Sequence, residues 1–320
     1  MYRKIIISVI RIIFLVCPIL WLVFIVDYRS VADLLKSLNL YIVLFLLTLT
    51  FVRFVLTSLR FWFLISPFSN NIKAVDFILL DWKARYYSII MPSSAGQDIS
   101  RAVLLKKHLC VGEILAISVF FRMTGIITLV LLSIFGFFRL YFEQDVSGAM
   151  LFAAIVFFAV CTISFVFFSE KATKKILSLL PSKTPKKLVE FLVGASQAIL
   201  LYKKHAKLVI FNLIFSLILH LLYILFVVIL IYSISGEFKT LEILTFIPLI
   251  EIFSAAVPFA PNGAGIREGL LILFFNVINQ TKEQAFSYIT FNTITYLILF
   301  LGFFVIVFEK INKKFKSKLT

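Results

Sequence analysis

Six apolar runs of helical length decide what this sequence can fold into. Each run approaches or exceeds the roughly 20 residues that an α-helix needs to cross a bilayer. Hydrophobic residues make up 62% of the chain and charged residues only 15%, which excludes an ordinary soluble domain. We therefore predict an all-α polytopic membrane protein that forms one integral domain over residues 1–320. The predicted spans are residues 5–26, 40–63, 113–138, 148–168, 208–232 and 285–308.

The basic residues orient these spans in the membrane. The net charge is +16, and lysines and arginines gather at the ends of apolar runs, in the loop at residues 169–207 and after residue 308. Cytoplasmic loops of membrane proteins carry such an excess. We therefore expect a multi-pass cell-membrane protein with both termini in the cytoplasm and no nucleic-acid partner. Apolar residues recur at helical spacing within the basic loop, which predicts an interfacial helix there.

Two polar breaks interrupt the apolar sequence, at residues 91–101 and 261–269. Each break combines proline and glycine with charged residues. An isolated membrane helix does not favour that combination, because proline and glycine loosen the helix and charges in lipid are costly. One such break in each half of a membrane protein is the sequence pattern that points to a binding site.

The loops around the breaks predict two hairpins of opposite orientation. Charge places both ends of the segment at 72–110 in the cytoplasm and both ends of the segment at 241–280 outside. We interpret the segments as re-entrant helical hairpins, added to about six full transmembrane helices. The units at 40–138 and 208–308 then form an inverted repeat. The alternative, in which every hairpin arm crosses the bilayer, gives eight crossings and leaves the other spans unchanged.

The chemistry of the breaks favours an anionic ligand. Irregular backbone at membrane depth survives only when it is buried in protein or lines an aqueous cavity. Each break also exposes the N-terminus of the next helix, whose free N–H groups favour phosphate, and arginine can add paired hydrogen bonds. The candidate substrate-binding residues are Arg53, Ser93, Ser94, Gly96, Gln97, Asp98, Arg101, Arg122, Glu251, Asn262, Gly263, Gly265, Arg267 and Glu268.

Structural roles compete with these binding roles. Arg101 with Asp98, and Arg267 with Glu268, can form ion pairs that only hold the helix starts in place. Arg53 and Arg122 can equally bond a carbonyl of a broken helix. His220 is alone in its span, so a hydrogen-bonded core histidine is expected rather than a proton relay. Charged residues inside membrane spans are nevertheless functional candidates by default.

No catalytic pattern competes with a binding function. The sequence contains no metal-ligand cluster, nucleotide-binding glycine loop or serine–histidine nucleophile motif. The three cysteines, Cys17, Cys110 and Cys161, are widely spaced and favour packing roles over a disulfide framework or a zinc site. We therefore expect a protein that is not an enzyme and that uses no cofactor and no metal.

The two breaks also carry a resemblance to a known family. Residues 92–102, then Arg122 and Gly125, then residues 263–269 resemble the lysylphosphatidylglycerol synthase transmembrane-region family, the flippase-like part of MprF proteins. The resemblance covers nearly the whole chain, and its most specific part is the Gly-x-Gly-x-Arg-Glu piece. It implies an integral membrane protein that translocates or handles a lipid. Aminoacylation in this family belongs to a separate soluble C-terminal synthase domain. Because this sequence ends just after its last predicted span, we expect a stand-alone member without that domain.

Two functions remain open at this point. The leading hypothesis is a lipid flippase that holds an anionic headgroup of a phospholipid, glycolipid or polyprenyl phosphate in a polar mid-membrane cavity. The alternative is a non-transporting membrane partner that presents lipid to, or recruits, a glycosyltransferase or lipid synthase.

Overall fold

A computed structural model describes residues 28–69, 72–90, 96–143, 202, 205–256 and 265–319. Within these ranges the chain is helical and contains no strand. The helices are α1 (Tyr28–Lys36), α2 (Leu40–Ile65), α3 (Ala74–Ile90), α4 (Gly96–Leu105), α5 (Val111–Glu143), α6 (Ala206–Ser235), α7 (Thr240–Ala256), α8 (Ile266–Val277), α9 (Lys282–Thr295) and α10 (Leu301–Leu319), with a short 3₁₀ segment (Tyr296–Phe300) between the last two.

Four stretches of the described chain are long and apolar enough to cross a membrane. They are Leu40–Ile65, Val111–Arg139, Ala206–Ser235 and Lys282–Glu309, and each coincides with a span predicted from sequence. The prediction of a multi-pass helical membrane protein is thereby confirmed. The predicted spans at 5–26 and 148–168, and nearly all of the basic loop at 169–207, lie outside the described residues.

Two details of the spans differ from the sequence prediction. The last span is two helices, α9 and α10, joined by the 3₁₀ segment, where the sequence predicted one continuous helix. The segment between the first two predicted spans contains helix α1, which packs on α9. Helix α1 buries Val31 at 6% exposure and keeps Asp33 and Lys36 on its exposed side.

The two predicted hairpins each contain a long and a short helix. Helices α3 and α7 have 17 residues each, whereas α4 has 10 and α8 has 12. At 1.5 Å per residue the short arms measure about 15 and about 18 Å, against about 30 Å for the hydrocarbon core. The connecting breaks, residues 91–95 and 257–264, lie outside the described residues.

Packing between the two halves follows a reciprocal pattern. Helix α2 packs on α6, α5 packs on α7, and α10 packs on α3. In the last two contacts a glycine without a side chain allows the two helices to approach each other closely. A Cβ on Gly136 of α5 would stand 2.6 Å from Oγ1 of Thr245 on α7, and a Cβ on Gly302 of α10 would meet the Trp82 carbonyl of α3. If α2–α5 and α6–α10 are compared as two units, α5 corresponds to α10 and α3 corresponds to α7. The contact of α5 with α7 then corresponds to the contact of α10 with α3.

Apolar packing surrounds a polar interior. One buried cluster joins α6, α7, α8 and α9 to Leu46 and Leu49 of α2 and Leu132 of α5, and a second cluster joins α2, α3, α4 and α5. Between them, α2 carries buried polar side chains toward its neighbours, including Ser58 and Arg60. In a membrane protein such groups need partners inside the fold, since lipid offers none.

Candidate functional site

The carboxylate of Asp81 on α3 is the centre of the first polar cluster. Its side chain is 0% exposed, and three side chains donate to it. Ser58 Oγ on α2 is 2.6 Å from Oδ2, Arg85 Nε is 3.0 Å from Oδ2, and Arg101 Nε on α4 is 2.6 Å from Oδ1. A buried carboxylate is stable only when charge and hydrogen bonds compensate its lost hydration. Asp81 therefore ties both arms of the first hairpin to α2.

Asp98 extends this cluster to helix α5. Its Oδ1 lies 3.3 Å from Arg101 Nη1, and its Oδ2 lies 2.5 Å from Arg122 Nη2. Gln97 lies in the same cluster, with its amide oxygen placed to accept from Arg101 Nη2 at 2.6 Å. The Arg101 side chain is 3% exposed, whereas that of Arg122 is 38% exposed. Arg122 therefore forms the accessible edge of the first cluster.

The second cluster is built on Glu251 of α7 and Arg267 of α8. Arg267 Nη2 donates to Glu251 Oε2 at 3.2 Å, and Arg267 Nε lies 3.2 Å from Oε1, within ion-pair range but without the alignment of a hydrogen bond. Tyr223 of α6 donates its hydroxyl to the same Oε1 at 3.2 Å, and the Arg53 guanidinium lies 4.4 Å above the Tyr223 ring. A guanidinium paired with a carboxylate can also pair with a phosphate, which presents similar oxygens.

Glu268 has a local role at the start of α8. Its Oε2 accepts from the backbone N–H of Gly265 at 2.5 Å. Gly265 has φ +85°, a left-handed conformation that glycine adopts without steric cost. Arg267 pairs with Glu251 on the other arm, whereas Glu268 caps its own helix. Neighbouring helix positions do not face each other, whereas a Glu three residues after the first cap residue reaches back to it.

Arg53 of α2 lies between the two clusters. It stacks on Tyr223 of the second cluster and is within electrostatic range of Arg85 in the first. Two other arginines of the first cluster lie over α2 rings, Arg85 over Phe54 at 4.4 Å and Arg101 over Phe61 at 4.0 Å. Among the described residues of the two clusters, five arginines face the carboxylates of Asp81, Asp98 and Glu251, and Glu268 adds a fourth carboxylate at the start of α8, so positive charge exceeds negative charge by one.

A third group of polar contacts was not predicted from sequence. Arg60 donates through Nε to Asn212 Oδ1 at 2.8 Å and through Nη2 to Thr124 Oγ1 at 2.7 Å. One helical turn further along α5 and α6, the hydroxyls of Thr128 and Ser216 are 2.8 Å apart. The only sequence signal was the seven-residue spacing that places Arg60 on the same face of α2 as Arg53.

The remaining predicted site residues are only partly described. Gly96 is buried at the first position of α4. Ser93, Ser94, Asn262 and Gly263 lie outside the described residues. Within the described ranges no group of three or more histidine, cysteine, aspartate or glutamate side chains is arranged to hold a metal ion.

Comparison with known proteins gives one match. The family model described as lysylphosphatidylglycerol synthase TM region matches residues 5–302. Searches of curated proteins and of solved structures returned no match.

Proposed function

The chain belongs to the lysylphosphatidylglycerol synthase TM region family, and we propose that it is a flippase that carries lipids with an anionic headgroup across the membrane. The headgroup would be a phospholipid phosphate, a glycolipid or a polyprenyl phosphate, bound in a polar space between the two hairpins. No chemical step is assigned to the chain, which acts by binding and release. The family assignment supports a lipid-related membrane role, and the two clusters supply the reason for an anionic headgroup.

The architecture of this proposal is an inverted repeat with two re-entrant hairpins. The short arms α4 and α8 support it, because they are too short to cross the hydrocarbon core unaided. The reciprocal glycine contacts of α5 with α7 and of α10 with α3 support it as well. With the spans predicted from sequence at 5–26 and 148–168, the proposed architecture has six full spans in the cell membrane, and the charge distribution favours termini in the cytoplasm.

The observation that carries the proposal is the paired contact between Glu251 and Arg267. Their side chains are 23% and 13% exposed, so the pair is accessible at one edge. A carboxylate and a phosphodiester both present two oxygens to a guanidinium fork. Glu251 can therefore stand in for the lipid phosphate when no lipid is bound. A phosphate that displaces it keeps the positive charge of Arg267 compensated, and Arg53 and Arg122 add attraction at the edge.

The first cluster plays a different part. Arg101 is buried against Asp81 and Asp98, and its guanidinium is committed to both. It positions α4 and Arg122 and does not need to contact the lipid itself. This assigns direct headgroup contact to Arg267, Arg122 and Arg53, and scaffold roles to Arg101 and Asp98.

The test is lipid movement by purified protein in liposomes. Fluorescent phosphatidylglycerol is reconstituted in the bilayer, and its loss from the inner leaflet is followed by chemical quenching from outside. We expect translocation by the wild type and at least a tenfold loss in Arg267→Gln. Arg139→Gln removes a guanidinium at the exposed end of α5 and serves as the matched control.

Two results would overturn the flippase proposal. Wild-type protein that binds the lipid without moving it would favour the alternative role, in which the chain presents lipid to a glycosyltransferase or lipid synthase. Full translocation by folded Arg267→Gln would remove the headgroup site from the mechanism.

A further inference from the structure

A buried arginine outside the two clusters has only neutral partners. Arg60 is 4% exposed, and its Nε donates to Asn212 while its Nη2 donates to Thr124 and, at 3.0 Å, to the Phe121 carbonyl. Among the residues that the structure describes, no carboxylate lies within ion-pair distance of it. Hydrogen bonds to neutral acceptors do not cancel a charge, so the interior around Arg60 stays positive.

Hydrogen bonding alone does not explain why this residue is charged. Asn212 Nδ2 donates to Thr124 Oγ1 at 2.7 Å, and the same oxygen accepts from Arg60 Nη2, so the three side chains form a closed triangle. The triangle joins α2, α5 and α6, and each of its members is at most 4% exposed. A neutral side chain such as glutamine could join these helices without the cost of burying a charge. The positive charge of Arg60 therefore calls for a further role.

The ring of Phe121 places this charge close to the first cluster. The Arg60 guanidinium lies 4.1 Å from the ring centre, and the Arg101 guanidinium lies 5.7 Å from the same centre. The two guanidinium groups can therefore be no further apart than these two distances laid end to end. Arg101 in turn contacts Asp98, which pairs with Arg122 at the accessible edge of the cluster.

Phosphate recognition by itself does not select lipids by charge. Anionic phosphatidylglycerol and zwitterionic phosphatidylcholine both carry a phosphodiester, and the guanidinium of Arg267 can pair with either. The two lipids differ in the choline ammonium group, which cancels the field of the phosphate at a distance. A positive charge that acts from beyond contact distance therefore attracts the first lipid and is almost indifferent to the second.

Arg60 supplies such a charge to the interior. Among the described residues of the two clusters, positive charge exceeds negative charge by one, and Arg60 raises that excess to two. Buried charges are screened by water and salt far less than surface charges, so the excess acts over longer distances.

We propose that Arg60 is a specificity-determining residue, which makes the headgroup site select lipids of net negative charge over zwitterionic lipids. It acts through its charge and does not contact the lipid. At a separation of about 12 Å and an effective dielectric constant of about 20, one unit charge changes the affinity for a monoanion about tenfold. The inference rests on the headgroup site of the proposed function and adds what sets the charge preference of that site.

The test is the ratio of two affinities, for short-chain phosphatidylglycerol and short-chain phosphatidylcholine, measured by thermophoresis on the purified full chain in detergent. We expect the wild type to prefer phosphatidylglycerol. Asn212→Asp is the decisive variant, because it keeps the shape of the side chain and places a carboxylate oxygen where Asn212 Oδ1 lies, 2.8 Å from Arg60 Nε. The Thr124 hydroxyl can rotate to donate to the second oxygen. Arg60 then stays in place with its charge compensated. The preference should fall about tenfold through weaker phosphatidylglycerol binding alone.

Asn39→Asp is the matched control for this change. Asn39 caps the opposite, exposed end of α2, where aspartate caps as well as asparagine does. The same substitution there should leave the ratio at the wild-type value.

Two substitutions of Arg60 itself separate charge from structure. Arg60→Gln removes the charge and should lower the ratio about as far as Asn212→Asp does. Arg60→Lys keeps the charge and should keep the ratio. Both variants lose hydrogen bonds of the triangle, so both should melt at a lower temperature than the wild type. A purely structural Arg60 would change stability in both variants and leave the charge preference alone. If Asn212→Asp does not fold, this pair decides the question.

Three outcomes overturn the role of Arg60. They are a wild type without preference for phosphatidylglycerol, an unchanged ratio in folded Asn212→Asp, and equal ratios in Arg60→Gln and Arg60→Lys. Arg267→Gln separates this inference from the proposed function, since it removes the phosphate contact and should weaken binding of both lipids. If Arg267→Gln leaves both affinities unchanged, the headgroup site itself is overturned. If it weakens both and one of the three outcomes occurs, only the role of Arg60 is overturned.

Discussion

Replacing Glu251 by glutamine tests whether Glu251 competes with a lipid phosphate for Arg267 or only stabilises the fold. Glutamine keeps the shape of the side chain and removes its negative charge. The carboxylate faces Arg267 through two contacts of 3.2 Å and accepts from Tyr223. If Glu251 occupies the place of a lipid phosphate, the variant removes an internal competitor. Lipid binding then strengthens, while the lipid-free protein loses stability because Arg267 has lost its compensating charge.

The size of both effects follows from the exposure of the pair. A hydrogen bond to a charged group contributes about 1.5–3 kcal/mol when buried. Glu251 is 23% exposed, so solvent screening favours the lower end of that range. About 1.4 kcal/mol corresponds to a tenfold change in affinity. We therefore expect Glu251→Gln to bind anionic lipid about tenfold more tightly, and to lose about 1–2 kcal/mol of stability without lipid.

The assay measures both quantities on the same preparation. Affinity for short-chain phosphatidylglycerol is obtained by thermophoresis, and stability by thermal unfolding with and without that lipid. Glu309→Gln is the matched control. It breaks an ion pair of the same kind, Lys83 Nζ to Glu309 Oε1 at 2.6 Å, which joins α3 to α10 outside the clusters. Its lipid affinity should equal that of the wild type.

The refuting result is a loss of both properties in Glu251→Gln. If the pair were only structural, the variant would be less stable and would bind lipid no better, or worse. Opposite signs for stability and affinity are the signature of competition. An unchanged affinity would also refute the reasoning, because the fork of Arg267 would then not be the headgroup site.

Two further substitutions test the scaffold. Asp81→Asn leaves Arg85 and Arg101 without their shared negative partner, and breaking a buried ion pair costs about 3–5 kcal/mol of stability. Thermal unfolding in detergent should therefore show a large drop in melting temperature. A melting temperature near that of the wild type would refute the role of Asp81 in holding the helices together. Gly302→Ala places a methyl group against the Trp82 carbonyl and should force α10 away from α3, lowering the melting temperature clearly. Gly112→Ala, at an open position, gives the comparison for that loss.

The spans were predictable because length and apolar content alone decide them. A run of more than 20 apolar residues has few stable states other than a membrane helix, and 40–63, 113–138 and 208–232 all became such helices. The break within the last span was not predictable from hydropathy. The 3₁₀ segment Tyr296–Phe300 contains no proline or glycine, and it lies where α10 packs tightly on α3 through Gly302. Tertiary packing, not local sequence, accompanies that break.

The charged residues of the clusters could be picked out from sequence, but of their pairings only the short-range one between Arg101 and Asp98 could be expected. Arg53, Arg122 and Arg267 stand out because charges are rare in apolar sequence. Helical spacing accounts for the pair of Asp81 with Arg85, four residues apart, but the link of Asp81 to Arg101 spans 20 residues and depends on how the two helices fold together. The capping role of Glu268 was open to sequence reasoning, because its three-residue spacing from Gly265 is that of a helix cap.

Both hairpins contain a carboxylate–arginine pair, but the two pairs differ in how far they are buried. In each, a carboxylate on the first arm holds an arginine on the second, Asp81 with Arg101 and Glu251 with Arg267. The first pair is sealed, with 0% and 3% of the side chains exposed, and Asp81 has three donors. The second is partly open and has Tyr223 as its extra donor. Separating a sealed pair strands charge in a dry interior, whereas an open pair exchanges one anion for another. In the proposed mechanism the first hairpin is therefore the fixed support, and the second hairpin is where the lipid phosphate enters.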